Sequence, residues 1–197
     1  MHNKTPLIRW IICFLMIAAA TSLAIQPLAL SNLTSNGTIA PASVAQVLPP
    51  KVDASLEEAP NQASYESTAL KLINAERTKR GLKKLSLSTK LRTAARRHSK
   101  DMAKNDFFSH TGSNGSSMTD RITKAGFKYA AAGECLYAGN GSLKTPKAAV
   151  QAWLNSPGHA AIMLSPNYTH VGIGYVYDKN SPYGGYYTAD FGKPLKK

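Results

Sequence analysis

Hydrophobic and polar positions divide the chain into three stretches. Residues 10–25 are uncharged and rich in Ile, Leu and Ala, a run somewhat shorter than the roughly 20 apolar residues needed to cross a bilayer core. Residues 26–62 are rich in Ser, Thr, Ala, Pro and Asn, without aromatics or a sustained apolar period. Pro41, Pro49, Pro50 and Pro60 interrupt whatever might start there, so this stretch reads as a disordered linker. Periodic patterning begins only near Ser64.

From there the pattern predicts alternating helices and strands. Ala69, Leu72 and Ile73, with Glu76 one step further, mark a first helix that Gly81 closes. Ser88 is an N-cap for a second, which buries Leu91, Ala94, Ala95, His98 and Met102, His98 as a hydrogen-bonded core histidine. Residues 107–112 leave this helix for a loop. Ser117 and Asp120 form a capping box for a short helix stopped by Gly126. An extended piece over 130–137 ends in a Gly-Asn-Gly turn, and Thr145-Pro146 starts a helix that buries Ala149, Ala152 and Trp153. Ser156-Pro157 repeats that signal and places His159 in the first turn of another short helix. Val171, Ile173, Tyr175 and Tyr177 alternate with smaller residues, as in a half-buried strand, and a last strand ends near Phe191. Helices first and antiparallel strands after give an α+β domain over 63–193, with a basic tail at 194–197.

Composition changes the picture at the N-terminus. Lys4 and Arg9 precede the apolar run, and Ser22-Leu23-Ala24 puts small residues where a signal peptidase reads, so 1–25 is a signal peptide or an N-terminal anchor. Ile11-Ile12 before Cys13 are not the small residues of a lipobox. Of the two cysteines only Cys135 lies in the domain, so an exported chain has no intramolecular disulfide and rests on its core, for which an apolar fraction of 43% suffices. The formal net charge is +13, and subtracting Lys4 and Arg9 leaves +11. Outside the cell or in its envelope that charge suits an anionic envelope component, a lipid headgroup or an acidic glycan; it also suits plainly solvated helix faces. No nucleic-acid-binding signature accompanies it.

Three residues at loop or element ends carry candidate chemistry: His110 in Phe-Ser-His-Thr-Gly, Glu134 in Ala-Gly-Glu-Cys, and His159 in Ser-Pro-Gly-His. Two imidazoles and a carboxylate suit Zn²⁺ or another divalent cation with open positions. They suit a general acid–base group equally, and structural hydrogen bonding as well. Cys135 reads either as a nucleophile with a histidine base or as a small buried hydrophobe. Strand alternation turns it away from whatever Glu134 faces. No Gly-x-Ser-x-Gly elbow is present.

Five motifs in order resemble one family. They are Leu72-Ile73-Asn74-x-Glu76-Arg77; Ala95-x-x-His98-Ser99-x-Asp101-Met102 followed by Phe108-Ser109-His110; Gly133-Glu134; Ala152-Trp153-x-x-Ser156-Pro157-Gly158-His159; and Val171-Gly172-Ile173-Gly174-Tyr175. Together they resemble the CAP superfamily of cysteine-rich secretory, antigen 5 and pathogenesis-related proteins, in its disulfide-free bacterial branch. The resemblance implies an α-β-α sandwich, a small antiparallel sheet flanked by helices, with a cleft holding two histidines and two glutamates. His110, Glu134 and His159 match three of the four. Ser156 stands where the second glutamate would fall, and Cys135 where Asn is common. Three functions are compatible with that resemblance. One is a binding module whose cleft takes a lipid, glycan or cell-wall ligand, with or without a metal. Another is a peptide or peptidoglycan hydrolase in which His110, Glu134 and His159 are catalytic. The third is an envelope interaction protein with a vestigial cleft.

Overall fold

The computed structural model describes residues 61–196. The expected signal or anchor segment 1–25, residues 26–60 of the expected linker, and Lys197 lie outside the described residues, while the last two linker positions, Asn61 and Gln62, are the cap and first residue of a helix. Helix α1, Gln62–Lys79, is capped by Asn61, whose side chain accepts the Ser64 N–H, and its end is marked by Gly81 at φ +70°. Its buried stripe is Glu66, Ala69, Ile73 and Arg77; Leu72 is only half-buried, and Glu76 faces outward to pair with Lys79 and Arg80. Two charges can end this stripe because distant partners satisfy them. Glu66 accepts from Arg96 at 2.6–3.1 Å and from the Tyr175 N–H, while Arg77 donates to the carbonyls of Lys83, Met163 and Ser165.

Strand β1, Ser86–Leu87, leads into α2, Thr89–Lys104, capped by Ser88 as predicted. Helix α3, Met118–Lys124, carries the full Ser117–Asp120 capping box. Strand β2, Tyr129–Gly139, is followed by a 3₁₀ turn, Gly141–Lys144, then by α4, Pro146–Asn155, and α5, Pro157–Met163. Helix α4 buries Pro146, Ala149, Val150 and Trp153, with Ala152 half-buried, so its inward face is turned slightly from the predicted one. Strands β3, His170–Tyr177, and β4, Gly185–Pro194, complete the chain.

The sheet order is β1-β3-β4-β2. Its three long strands are antiparallel, and β1 adds a short parallel pairing beside β3 that has no counterpart in the sequence expectations. Two residues show no period, so only the tertiary pairing defines that strand. Strand β3, expected to be half-buried, is buried on both faces from Val171 to Tyr175. Val171, Ile173 and Tyr175 join Ala69, Ile73 and Trp153 in the main core, on the side of α1 and α4. On the other face Gly172 and Gly174 lie directly against α2. A Cβ at Gly172 would stand 1.9 Å from the Arg92 nitrogen, and one at Gly174 2.3 Å from the Ala95 carbonyl carbon. The small residues of the alternation are thus the side on which helix and strand backbones touch. The predicted tail is a correction: Pro194 belongs to β4, and the Leu195 N–H donates to the Lys128 carbonyl at 3.0 Å, so backbone bonding holds these residues at the sheet end. No helix among the described residues is long and apolar enough to cross a membrane.

Candidate functional site

The loop that leaves α2 is tied down from both sides. The fully buried His98 donates from Nε2 to the Ser109 carbonyl at 2.9 Å, since a carbonyl can only accept. Asp101, one turn on, accepts from the Ser113 N–H and hydroxyl at 2.9 and 2.6 Å. Burial works to raise that carboxyl, but the bonds from Ser113 and Asn105 outweigh it and leave it below the usual range. From α3, Arg121 donates to the carbonyls of His110 and Ser116 at 3.0 and 2.9 Å. Anchored in this way, the loop presents His110 with half of its side chain exposed.

Strand β2 meets it from below. Glu134 is buried, and its two oxygens are both engaged: Oε1 accepts from His110 Nδ1 at 2.7 Å and Oε2 from Arg121 Nη2 at 2.6 Å. Burial alone would raise its pKa, yet the His110 bond and the Arg121 charge hold it below the usual carboxylate range. A carboxylate only accepts, so Nδ1 of His110 is the donor and Nε2 is the ring nitrogen left facing away from Glu134. On the α2 face, β2 presents Ala132, Glu134 and Leu136 in turn. Ala132 packs with Leu91, Ile122 and Phe127, and Leu136 with Met102 and Tyr186, so Glu134 falls in a polar belt between two apolar clusters.

Asp190 extends that belt. It is the cross-strand partner of Glu134, is fully buried, and neither of its oxygens meets a donor among the described residues. Burial first and the Glu134 charge second push its carboxyl well above the usual range, which favours its neutral form. Two carboxyl groups can then share one surface of the sheet, because the shifts run in opposite directions, Glu134 down and Asp190 up. The consequence for stability has a definite sign. A carboxyl raised in the folded protein costs stability as pH rises through the window between its ordinary value and its raised one, because unfolding then releases a proton. Asp190→Asn, neutral and of the same shape, should therefore be more stable than the parent at pH 8, with a smaller gain at pH 4.5, in urea titrations at the two pH values. Equal losses at both would show that the carboxyl is charged in the folded protein.

His159 opens α5 beside the β2 edge. Its Nδ1 lies 3.0 Å from the hydroxyl of buried Ser156, which orients the ring. Burial, and then the nearby His110, keep His159 below the usual histidine range. Cys135 points to the opposite face from Glu134, as strand alternation requires; it is fully buried, its thiol is pushed well up, and its Sγ contacts the His159 carbonyl at 3.6 Å. A thiol so enclosed is the inert kind.

His110 and Glu134 are therefore joined directly, while His159 reaches His110 only through its field. Among the described residues no three His, Cys, Asp or Glu side chains are grouped so as to hold a metal ion. Glu134, the expected anionic ligand, is neutralised by Arg121 instead, which is the wrong donor set for Zn²⁺. Arg121 and Asp190 escaped the sequence reading. The first reads there as a surface cation on a short helix, and the second is placed only by strand register.

The sequence profile of the cysteine-rich secretory protein family matches residues 70–191, from α1 to the body of β4. The uncharacterized protein YkwD of Bacillus subtilis (strain 168) is 42% identical over 119 residues, 60% of this chain and 45% of that protein. An extracellular protein containing an SCP domain from Bacillus anthracis is similar in structure, with a TM-score of 0.60 and 31% identity over 67% of this chain and 41% of that one. An outer surface protein of Borrelia burgdorferi, at 22% identity, shares the fold with a TM-score of 0.59, over 67% of this chain and 94% of its own. This chain spans less than half the length of the two Bacillus proteins.

Proposed function

Because this chain belongs to the cysteine-rich secretory protein (CAP) family, we propose that it is an extracellular or cell-envelope binding module whose His110 cleft takes a glycan or cell-wall fragment. The observation that carries this reading is the state of Glu134. With both oxygens bound to Arg121 and His110, it is a support for the cleft rather than a free base or ligand. What faces outward is the His110 ring, held by the anchored loop. Two residues earlier in the same loop Phe108 is 46% exposed, and it pairs with Tyr183, 44% exposed, at 6.1 Å between ring centroids. An imidazole in the same loop as one of a pair of exposed aromatic rings suits a polyhydroxylated ligand with one apolar face. The similar Bacillus anthracis protein is itself extracellular, which supports an extracellular placement. A divalent cation has no part in this reading.

The His110–Glu134 pair favours a second reading, a hydrolase. A histidine whose Nδ1 is fixed by a buried carboxylate presents Nε2 as a base, the orientation that acid–base catalysis uses. Against it, no hydroxyl or thiol among the described residues is hydrogen-bonded to that nitrogen, and Cys135 faces away. One experiment separates the two. Soluble peptidoglycan fragments are titrated into the purified chain and into His110→Ala, and the mixtures are then analysed by mass spectrometry. Binding that weakens at least about tenfold in the variant, with fragments left intact, is expected from the loss of one or two polar contacts. Cleaved fragments would establish the hydrolase, and unchanged affinity would remove His110 from the site.

A further inference from the structure

A second concavity lies at the far end of the sheet. Its volume is about 770 Å³, and it is bounded by the end of β1 and the start of α2, by the connection between α3 and β2, and by the end of β4. Lys90, Lys128, Lys196 and His170 line it, and none of its lining residues is acidic. None of the three lysines takes part in an ion pair among the described residues. Leu87 and Leu195 also line it, 46% and 58% exposed, with the buried Phe127 beside the His170 ring. Tyr129 of β2 pairs with Pro194 at this end. Glu134 lies five residues further along the strand, about 17 Å away at 3.3–3.4 Å per residue, so this place is separate from the His110 cleft.

The charge and the leucines need a common explanation. Unpaired lysines converging without a carboxylate complement an anion. A free phosphate or a nucleic acid would account for the lysines but gives no role to two leucines left in water at the same rim. Exposed apolar side chains bordered by lysines are the pattern of a surface that rests on a membrane interface. We propose that this concavity docks the protein on anionic phospholipid, with Lys90, Lys128 and Lys196 around the headgroup phosphate and Leu87 and Leu195 against the acyl boundary. The site is independent of the ligand assigned to the His110 cleft.

The test uses the full chain with vesicles of phosphatidylglycerol and of phosphatidylcholine, and measures partitioning by sedimentation. Any insertion by the apolar segment 10–25 is common to both lipids, so the difference between them reports on charge. Lys90→Glu, Lys128→Glu and Lys196→Glu are combined in one variant. A control combines Lys71→Glu, Lys147→Glu and Lys179→Glu, exposed lysines of α1, α4 and the β3–β4 connection, with the same net charge. Each lysine near an anionic surface contributes about fivefold. Three such losses multiply to about 100-fold and charge reversal adds to them, so the first variant should lose at least about 100-fold of its partitioning to phosphatidylglycerol, and the control less than about tenfold. Leu87→Ser with Leu195→Ser should weaken partitioning with every charge kept. Equal losses in the two charge variants would mean that only net charge matters. Equal binding to both lipids, or full displacement by glycerol 1-phosphate, would also overturn the proposal, the latter by showing a site for soluble phosphate esters.

Discussion

Trp153→Ala should cost the protein about 3–5 kcal/mol of folding stability, measured by urea denaturation. The indole is 1% exposed in the main core, edge-on to Tyr187 at 6.5 Å between centroids. Its removal leaves a cavity that α4 and the sheet can close only in part. The ring also has a polar task. Strand β2 has a neighbour on one side only, and on its open edge the carbonyl of Leu136 accepts from Trp153 Nε1 at 2.8 Å, as that of Ala132 accepts from the Tyr168 hydroxyl at 3.0 Å. Alanine therefore opens a void and strands a carbonyl. Trp153→Phe should recover much of the first loss and none of the second. A loss below about 1 kcal/mol for the alanine variant would mean that the side chain is not packed as described.

Arg121→Ala should be comparably damaging, because removing one partner of a buried ion pair leaves the other uncompensated, typically at about 3–5 kcal/mol. Arg121 is nine-tenths buried and holds three acceptors together, the Glu134 carboxylate and the carbonyls of His110 and Ser116. In its absence Glu134 is left with His110 and with the Asp190 carboxyl alongside. The double variant Arg121→Ala, Glu134→Gln should be more stable than Arg121→Ala, since the stranded charge is gone. If the double variant loses the sum of the two single losses, the pair is not coupled and the loop is held by other bonds.

Most helices were legible because their signals are local. Ser88, the Ser117–Asp120 box and Thr145-Pro146 each act within four residues, and each caps the helix it announces. The orientation of Cys135 was legible for the same reason, since strand alternation involves no distant residue. What failed depends on distance along the chain. Glu66 and Arg77 look like solvated positions on α1 until Arg96, Tyr175, Met163 and Ser165 arrive as partners. Of the site, His110, Glu134 and His159 could be picked out by their settings and by family likeness. That Glu134 would be claimed by Arg121 and shadowed by Asp190 needed the register of β2 on β4, which no local pattern supplies.

The contact of Gly172 and Gly174 with α2 has a consequence beyond packing. Ordinary helix–sheet interfaces are separated by side chains, which can change rotamer and let one layer slide over the other by small steps. Here backbone rests on backbone at the two glycines, and little between β3 and α2 can change rotamer there. The helix that launches the His110 loop is thus locked to the sheet that carries Glu134 and Asp190, and the two halves of the cleft cannot shear apart. For the ligand proposed above, this means a shape already set, and its affinity should reflect the fit of that shape with little loss to ordering the protein around it.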